Sequence, residues 1–352
     1  MGNVSSHCAH AIPLFREVGG EFITLSKQTE MEIRALDLPV SCVNDRPDLF
    51  LKFDRKISDT IKYIEQNFDI VVFYELYSFS FFSYIKKLPT VFLSHGNMLK
   101  VYMSPKRLRA LKKYTHIAAL SPSLKEKFIS QYKINHTKLL DIGIARNDHV
   151  IKSKKRISFS KSFLESVTLD KSKIFVSYIP TWWGTSTVQN IGLEFIRNFP
   201  TDLNLLFRPH PQTPVEIVDQ YRKIIDSYDN MTFVDTLSLE EQFEATSLLV
   251  GDLSSIVLEW ILTDKPIIFI HQNNHNYLND LHSIEEVVTF SSRINEESVE
   301  NTASVINDAL AKGISTDDWN KVKRRAFYGY KGECTKVLIN NLKQLAITNK
   351  SL

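Results

Sequence analysis

The chain predicts an α/β fold of two Rossmann-like domains facing a central cleft. Three observations carry that expectation. Its 352 residues exceed what one ordinary hydrophobic core encloses. Short β-rich apolar runs alternate with stretches of helical period, the pattern of βαβ units on a parallel sheet. The alternation lapses once, near residue 150, and then starts again. The expected division is residues 1–150, a linker at 151–170, and a second domain at 171–352 that includes a closing helix.

In order, "EFITLS", "PVSCV", "DIVVFYE", "PTVFLSHG", "HIAALS" and "KLLDIGI" read as strands of the first domain, with helices at 50–68 and 123–132. Ahead of them, "SSHCAHAIPLFREVGG" supplies no full opening strand, which points to a trimmed N-terminus. The segment "HVIKSKKRISFSKS" is rich in Lys and Ser without strong periodicity and marks the boundary, around 150–171. The second series runs "KIFVSYIP", "NLLFRPHP", "MTFVDT", "SLLVGD" and "PIIFI" as strands, with helices near 215–228, 239–246 and 254–263. Two doubly wound units leave a cleft at the carboxyl ends of their strands, where open α/β sheets take ligands. Motifs at strand ends therefore carry the functional reading.

Composition excludes several classes. Hydrophobic residues make up 43% and charged residues 24%, which is globular rather than disordered. A formal net charge of +3 gives no general case for nucleic acid. Cys8, Cys42 and Cys334 are scattered and lack CxxC spacing, as fits a reducing compartment with no disulfide or metal framework. Neither an apolar run of membrane-spanning length nor a signal peptide is present, so the expected location is cytoplasmic. The opening "MGNVSS" matches the myristoylation pattern through Gly2 and Ser6, but so short a pattern matches often by chance.

Several strand ends hold chemistry. His95, followed by Gly96, is either a general base at the cleft or a loop histidine bonded to its neighbours. In "FRPHP" two prolines fix the backbone around Arg208 and His210; a guanidinium suits bidentate phosphate contact, and a histidinium offsets charge on a leaving phosphate. "VGDLSSIVLEWIL" sets Asp252, Ser254 and Ser255 where a strand meets a helix. Serines there cap the helix, and the same amides and hydroxyls can hold phosphate oxygens. The Asp252 carboxylate would repel phosphate and instead suits orienting neighbouring donors or a ligand hydroxyl. Thr181 and Trp182, with Trp183, follow the first strand of the second half as a stacking platform or a core lid. Gly143, Arg146, Asn147 and Asp148 form a polar hinge or a cleft contact. Between residues 99 and 114, Lys100, Lys106, Arg107, Arg109, Lys112 and Lys113 occur with no acid, a patch for an anionic acceptor or phospholipid, or else a solvated helix face.

Taken in order, His95-Gly96, Gly143 with Arg146-Asn147-Asp148, Pro180-Thr181-Trp182, Arg208-Pro209-His210-Pro211, Asp252-Leu253-Ser254-Ser255 and Lys265-Pro266 resemble the CDP-glycerol glycerophosphotransferase family of teichoic acid and capsule synthesis. The tail "FYGYKGECTKVLINNL" is similar to the family's closing helix. The resemblance implies a GT-B fold and transfer of a polyol phosphate, without metal or cofactor, from a CDP-linked donor to a hydroxyl on a membrane-linked or polymeric acceptor. It implies that His95 is the base, that His210 lies near the donor pyrophosphate, and that Ser254 and Ser255 hold phosphate. Partners would be the nucleotide-diphosphate donor and an anionic glycan or lipid-linked acceptor, while a peripheral place on the inner membrane face is an expectation from the six basic residues alone.

The chain departs from the family at four places. Asn97-Met98 replaces Thr-Pro, Ala145 replaces Pro, Trp183 replaces Arg, and Leu253 stands where an aromatic is common. The lost arginine leaves glycerol, ribitol or a nucleotide sugar open as the donated group. Two alternatives follow, a GT-B glycosyltransferase using a nucleotide sugar and a non-catalytic glycopolymer-binding protein.

Overall fold

The computed structural model describes residues 6–24, 27–42, 55–74, 84–93, 105–152, 156–182, 186–271 and 287–350. The chain forms two units, Met1–Asp148 with Ala326–Leu352, and His149–Arg325.

In the first unit, β1 (Phe22–Thr24) pairs in parallel with β2 (Val40–Cys42). A four-stranded parallel sheet follows in the order β3 (Val71–Phe73), β4 (Thr90–Phe92), β5 (His116–Ala119) and β6 (Leu139–Asp141). β4 is buried along its whole length, as its apolar run demands of a central parallel strand. The helix Pro122–Ser130 starts where its sequence says it should: the Ser121 hydroxyl accepts from Leu124 N at 3.0 Å, and Pro122 occupies the first turn, where its missing N–H is harmless. Its Leu124 and Phe128 are buried.

The second unit is a six-stranded parallel sheet of β7 (Phe175–Ile179), β8 (Asn204–Phe207), β9 (Met231–Phe233), β10 (Leu248–Gly251), β11 (Ile267–Ile270) and β12 (Ser292–Ile294). Their spatial order is β12-β11-β10-β7-β8-β9. The chain winds outward from β7 to β9, returns to lay β10 beside β7, and winds outward again. The carboxyl ends of β7 and β10 are thus the topological switch point of a doubly wound sheet. Tyr178, Phe195, Phe207 and Tyr221 fill the core on one side.

Two segments differ from the sequence expectation. Residues 156–170, read as linker, pack into the second unit: Phe159 stacks on Phe163 at 4.9 Å, and both meet Phe175 edge-on. The i, i+4 phenylalanines carry this packing within an otherwise polar run. The closing helix, Cys334–Lys350, was expected with the second domain and instead groups with the first. Asp148 supplies the reason, because its carboxylate accepts from Cys334 N and Thr335 N, each at 2.8 Å, and so caps that helix. Among the described residues no helix is long and apolar enough to cross a membrane.

Candidate functional site

The switch point of the second unit gathers the strand-end motifs. Asp252 follows β10 directly and is 1% exposed. Its Oδ1 accepts from Thr181 N at 2.8 Å; its Oδ2 accepts from Thr187 N at 3.1 Å and Thr187 Oγ1 at 3.2 Å. The Ser186 hydroxyl donates to Thr181 O at 2.6 Å and closes the base of the same loop. Since Thr187 Oγ1 donates to Asp252, it accepts from Tyr178 OH at 2.8 Å, and Tyr221 OH donates to Val188 O at 2.9 Å. Two buried tyrosines thus support the loop from below. Gly192 makes room for them, since a Cβ there would overlap both hydroxyls. Burial raises the Tyr178 phenol well above its ordinary range, and the Tyr221 phenol rises for the same first cause.

Trp182, the last described residue before the tip of this loop, stacks on His210 with ring centroids 5.8 Å apart and 28° between planes. His210 lies in the turn after β8, where Gln212 N donates to its Nδ1 at 3.1 Å and Thr213 N donates to its carbonyl at 2.9 Å. That bond directs Nδ1 at the backbone of its own turn.

Arg208 also differs from expectation. Its Nε donates to Gln242 Oε1 at 2.5 Å, and its Nη2 donates to Leu237 O at 2.5 Å and Ser238 O at 3.3 Å. Burial pulls its pKa down to about 10, against the pull of Glu240, Asp235 and Glu241. These bonds turn the guanidinium into the protein, where it ties the strand-end turn to the start of the helix Leu239–Ala245. Gln242, fully buried, passes the connection on. Its Nε2 donates to Ser177 Oγ at 2.9 Å, Ser177 meets Thr246 Oγ1 at 2.7 Å, and Thr246 Oγ1 donates back to Gln242 O at 2.7 Å. The sequence reading missed Gln242, Ser177, Thr246 and Thr187. Only a polar residue on an apolar strand or helix face signalled them.

Ser254 is the N-cap of the helix Ser255–Trp260, accepting from Ile256 N at 3.4 Å, while its own amide donates to Asp252 O at 2.6 Å. Ser255 is half-buried. Lys265 lies beneath the site: its ammonium donates to Phe243 O at 2.7 Å and Thr246 O at 2.8 Å and caps the carboxyl end of Leu239–Ala245. Leu253, in place of an aromatic, is buried.

In the first unit, Gly143 faces the tail so closely that a Cβ would overlap Tyr328 O and Cys334 Sγ. Asp148 caps the tail helix, so its carboxylate is occupied by the protein rather than by substrate. The Asn147 amide is buried with neither Oδ1 nor Nδ2 hydrogen-bonded, and Arg146 is half-buried. Lys106, Arg107 and Arg109 are exposed on the helix Pro105–Leu111, with Lys112 and Lys113 exposed just after it, while Leu111 and Tyr114 are buried. His95, Gly96, Lys100 and Trp183 lie outside the described residues. No group of three or more metal-ligating side chains occurs among the described residues.

Two Rossmann-type units in one chain, the second with its motifs gathered at the switch point, define a protein of the GT-B class. A solved structure of the wall teichoic acid polymerase TagF soaked with CDPG shares the fold at a TM-score of 0.64, with 11% identity, over 100% of this chain and 88% of that one. The chain belongs to the CDP-Glycerol:Poly(glycerophosphate) glycerophosphotransferase family, which matches residues 72–331. It is 24% identical to the teichoic acid glycerol-phosphate primase of Bacillus subtilis over 64% of this chain and 58% of that protein. It is 20% identical to the teichoic acid poly(ribitol-phosphate) polymerase of Bacillus spizizenii over 47% of this chain and 28% of that protein. The matches span little more than half of the first relative and about a quarter of the second.

Proposed function

We propose that this protein transfers a polyol phosphate, glycerol- or ribitol-phosphate, from a CDP-activated donor to a hydroxyl of a membrane-linked or polymeric glycan in cell-surface polymer synthesis. The observation that carries the reading is the Trp182–His210 stack beside the Asp252–Ser255 turn, at the switch point of a chain belonging to this family. In the reaction, the acceptor oxygen attacks the donor β-phosphorus while His95 takes its proton. The bond from that phosphorus to the bridging oxygen breaks, and its electron pair leaves with CMP. His210 donates from Nε2 to the phosphate oxygens, and the helix start at Ser254 and Ser255 adds amide and hydroxyl donors. Arg208 and Asp252 hold these groups in place. The scheme requires no metal or cofactor. The exposed cations from Lys106 to Lys113 suit an anionic acceptor, and they suit peripheral attachment to an anionic membrane face.

The test is a mass-spectrometric assay with CDP-glycerol, CDP-ribitol and UDP-sugars together with a lipid or oligosaccharide acceptor. CMP release with a phosphodiester on the acceptor is the expected result. Release of a nucleoside diphosphate with a sugar added would replace the reading with glycosyl transfer, and no donor-dependent thermal shift would replace it with passive binding. His95→Ala and His210→Ala should each lower turnover by a factor on the order of a hundred.

A further inference from the structure

Asp252 sits at the switch point, directly after β10, and both of its oxygens accept from the protein. Three donors, Thr181 N, Thr187 N and Thr187 Oγ1, converge on it from the two ends of a single loop. Thr181 immediately precedes Trp182, so the bond to Oδ1 fixes the backbone amide one residue before the indole that stacks on His210. The bond from Ser186 Oγ to Thr181 O joins the same two ends a second time. A carboxylate so buried, with both oxygens already accepting from backbone and hydroxyl donors, is held by the protein itself. Keeping an ionised group at 1% exposure is costly unless charge-assisted bonds compensate it, and three of them do.

We propose that Asp252 is a positioning residue: it clamps the two ends of the loop spanning residues 181–187 and thereby sets the Trp182–His210 face that meets the donor. The kinetic arm of this proposal rests on the transferase reading above; the clamp itself does not.

The first measurement is ligand-free hydrogen exchange on Asp252→Asn. An amide in place of the carboxylate keeps the volume but loses the charge and one acceptor oxygen. The Thr181 and Thr187 amides should exchange at least roughly 100-fold faster, with β7, β8 and β10 unchanged; unchanged protection at both threonines overturns the clamp. The second is a double-mutant cycle in the transfer assay. Asp252→Asn alone should lower kcat/KM by about tenfold or more, but by no more than about threefold in a Trp182→Ala background, because it acts through Trp182. Additive losses would mean that Asp252 meets the donor directly, and would overturn the positioning role. Should Asp252→Asn fail to fold, Thr187→Val removes one donor at equal volume and must loosen Thr181 in the same direction. Absence of transfer from any donor would defeat the transferase reading while the exchange result still decides the clamp.

Discussion

Replacing Asp148 with alanine removes the acceptor of two amides at the start of the tail helix, both at 2.8 Å. Cys334 is 1% exposed, so its amide has no water to turn to. An orphaned buried donor costs about 1–3 kcal/mol, and the lost anion at a helix N-terminus costs a further ~0.3–2 kcal/mol. Water can reach half-buried Thr335 and softens its share, which brings the expected loss to about 3 kcal/mol. In a unit of this size that lowers Tm by roughly 6–12 °C. Asp148→Asn keeps one acceptor oxygen and should lose about half as much. Calorimetry reads the stability, and thiol labelling reads the mechanism. Burial first, and then the Asp148 carboxylate, push the Cys334 thiol far above its ordinary range, so in the native chain it should be inert. With Cys8 and Cys42 changed to serine, labelling of Cys334 at pH 8 should be slow in the parent and fast in Asp148→Ala. An unchanged Tm together with unchanged labelling would refute the argument that Asp148 is a tail cap rather than a substrate contact.

Gln242→Leu should destabilise the second unit by about 1–3 kcal/mol, because it orphans the Arg208 Nε and removes the donor to Ser177 Oγ, which keeps Thr246 as its other partner; the urea midpoint should fall without a change in slope. Glu241 gives a pH test. Burial raises its pKa, but hydrogen bonds from Ser162, the Ser238 amide and Ser160 outweigh that and hold it at about 2, below the ordinary 4.5. A depressed carboxyl stabilises the fold above its unfolded pKa and loses that contribution as the pH falls through the folded value. Glu241→Gln should therefore lower Tm at pH 7, and the gap to the parent should shrink between pH 4.5 and about 2; a gap independent of pH would exclude the carboxylate as its source.

The strands were legible because buried parallel strands must be apolar along their length, and every run quoted from "EFITLS" to "PIIFI" contains one of β1–β11. β12 was not, since "SRI" is a three-residue edge strand with Arg293 exposed between its neighbours. The site was legible as a set of strand-end motifs and illegible in its division of labour. Arg208 reads as a phosphate ligand in a sequence, because nothing there shows that Gln242, 34 positions on, will accept from its Nε. Asp148 reads as a cleft acid for the same reason: the amides it serves lie 186 and 187 residues away.

A physical reason links these cases. Donor phosphates call for amides, hydroxyls and an imidazole held still, because a donor group that must be oriented during the reaction gives back part of the stabilisation it offers. Charged side chains with long stems hold position poorly by themselves. In this chain buried polar groups are used to hold the protein itself: Asp252 the loop at Thr181 and Thr187, Arg208 with Gln242 the turn before His210, and Lys265 the carboxyl end of Leu239–Ala245. Under the proposed function, the groups that meet the donor are the indole of Trp182, the imidazole of His210 and the serines at the helix start. On the proposed function, a mutation that disturbs this bracing should weaken transfer although it removes no group that contacts the donor.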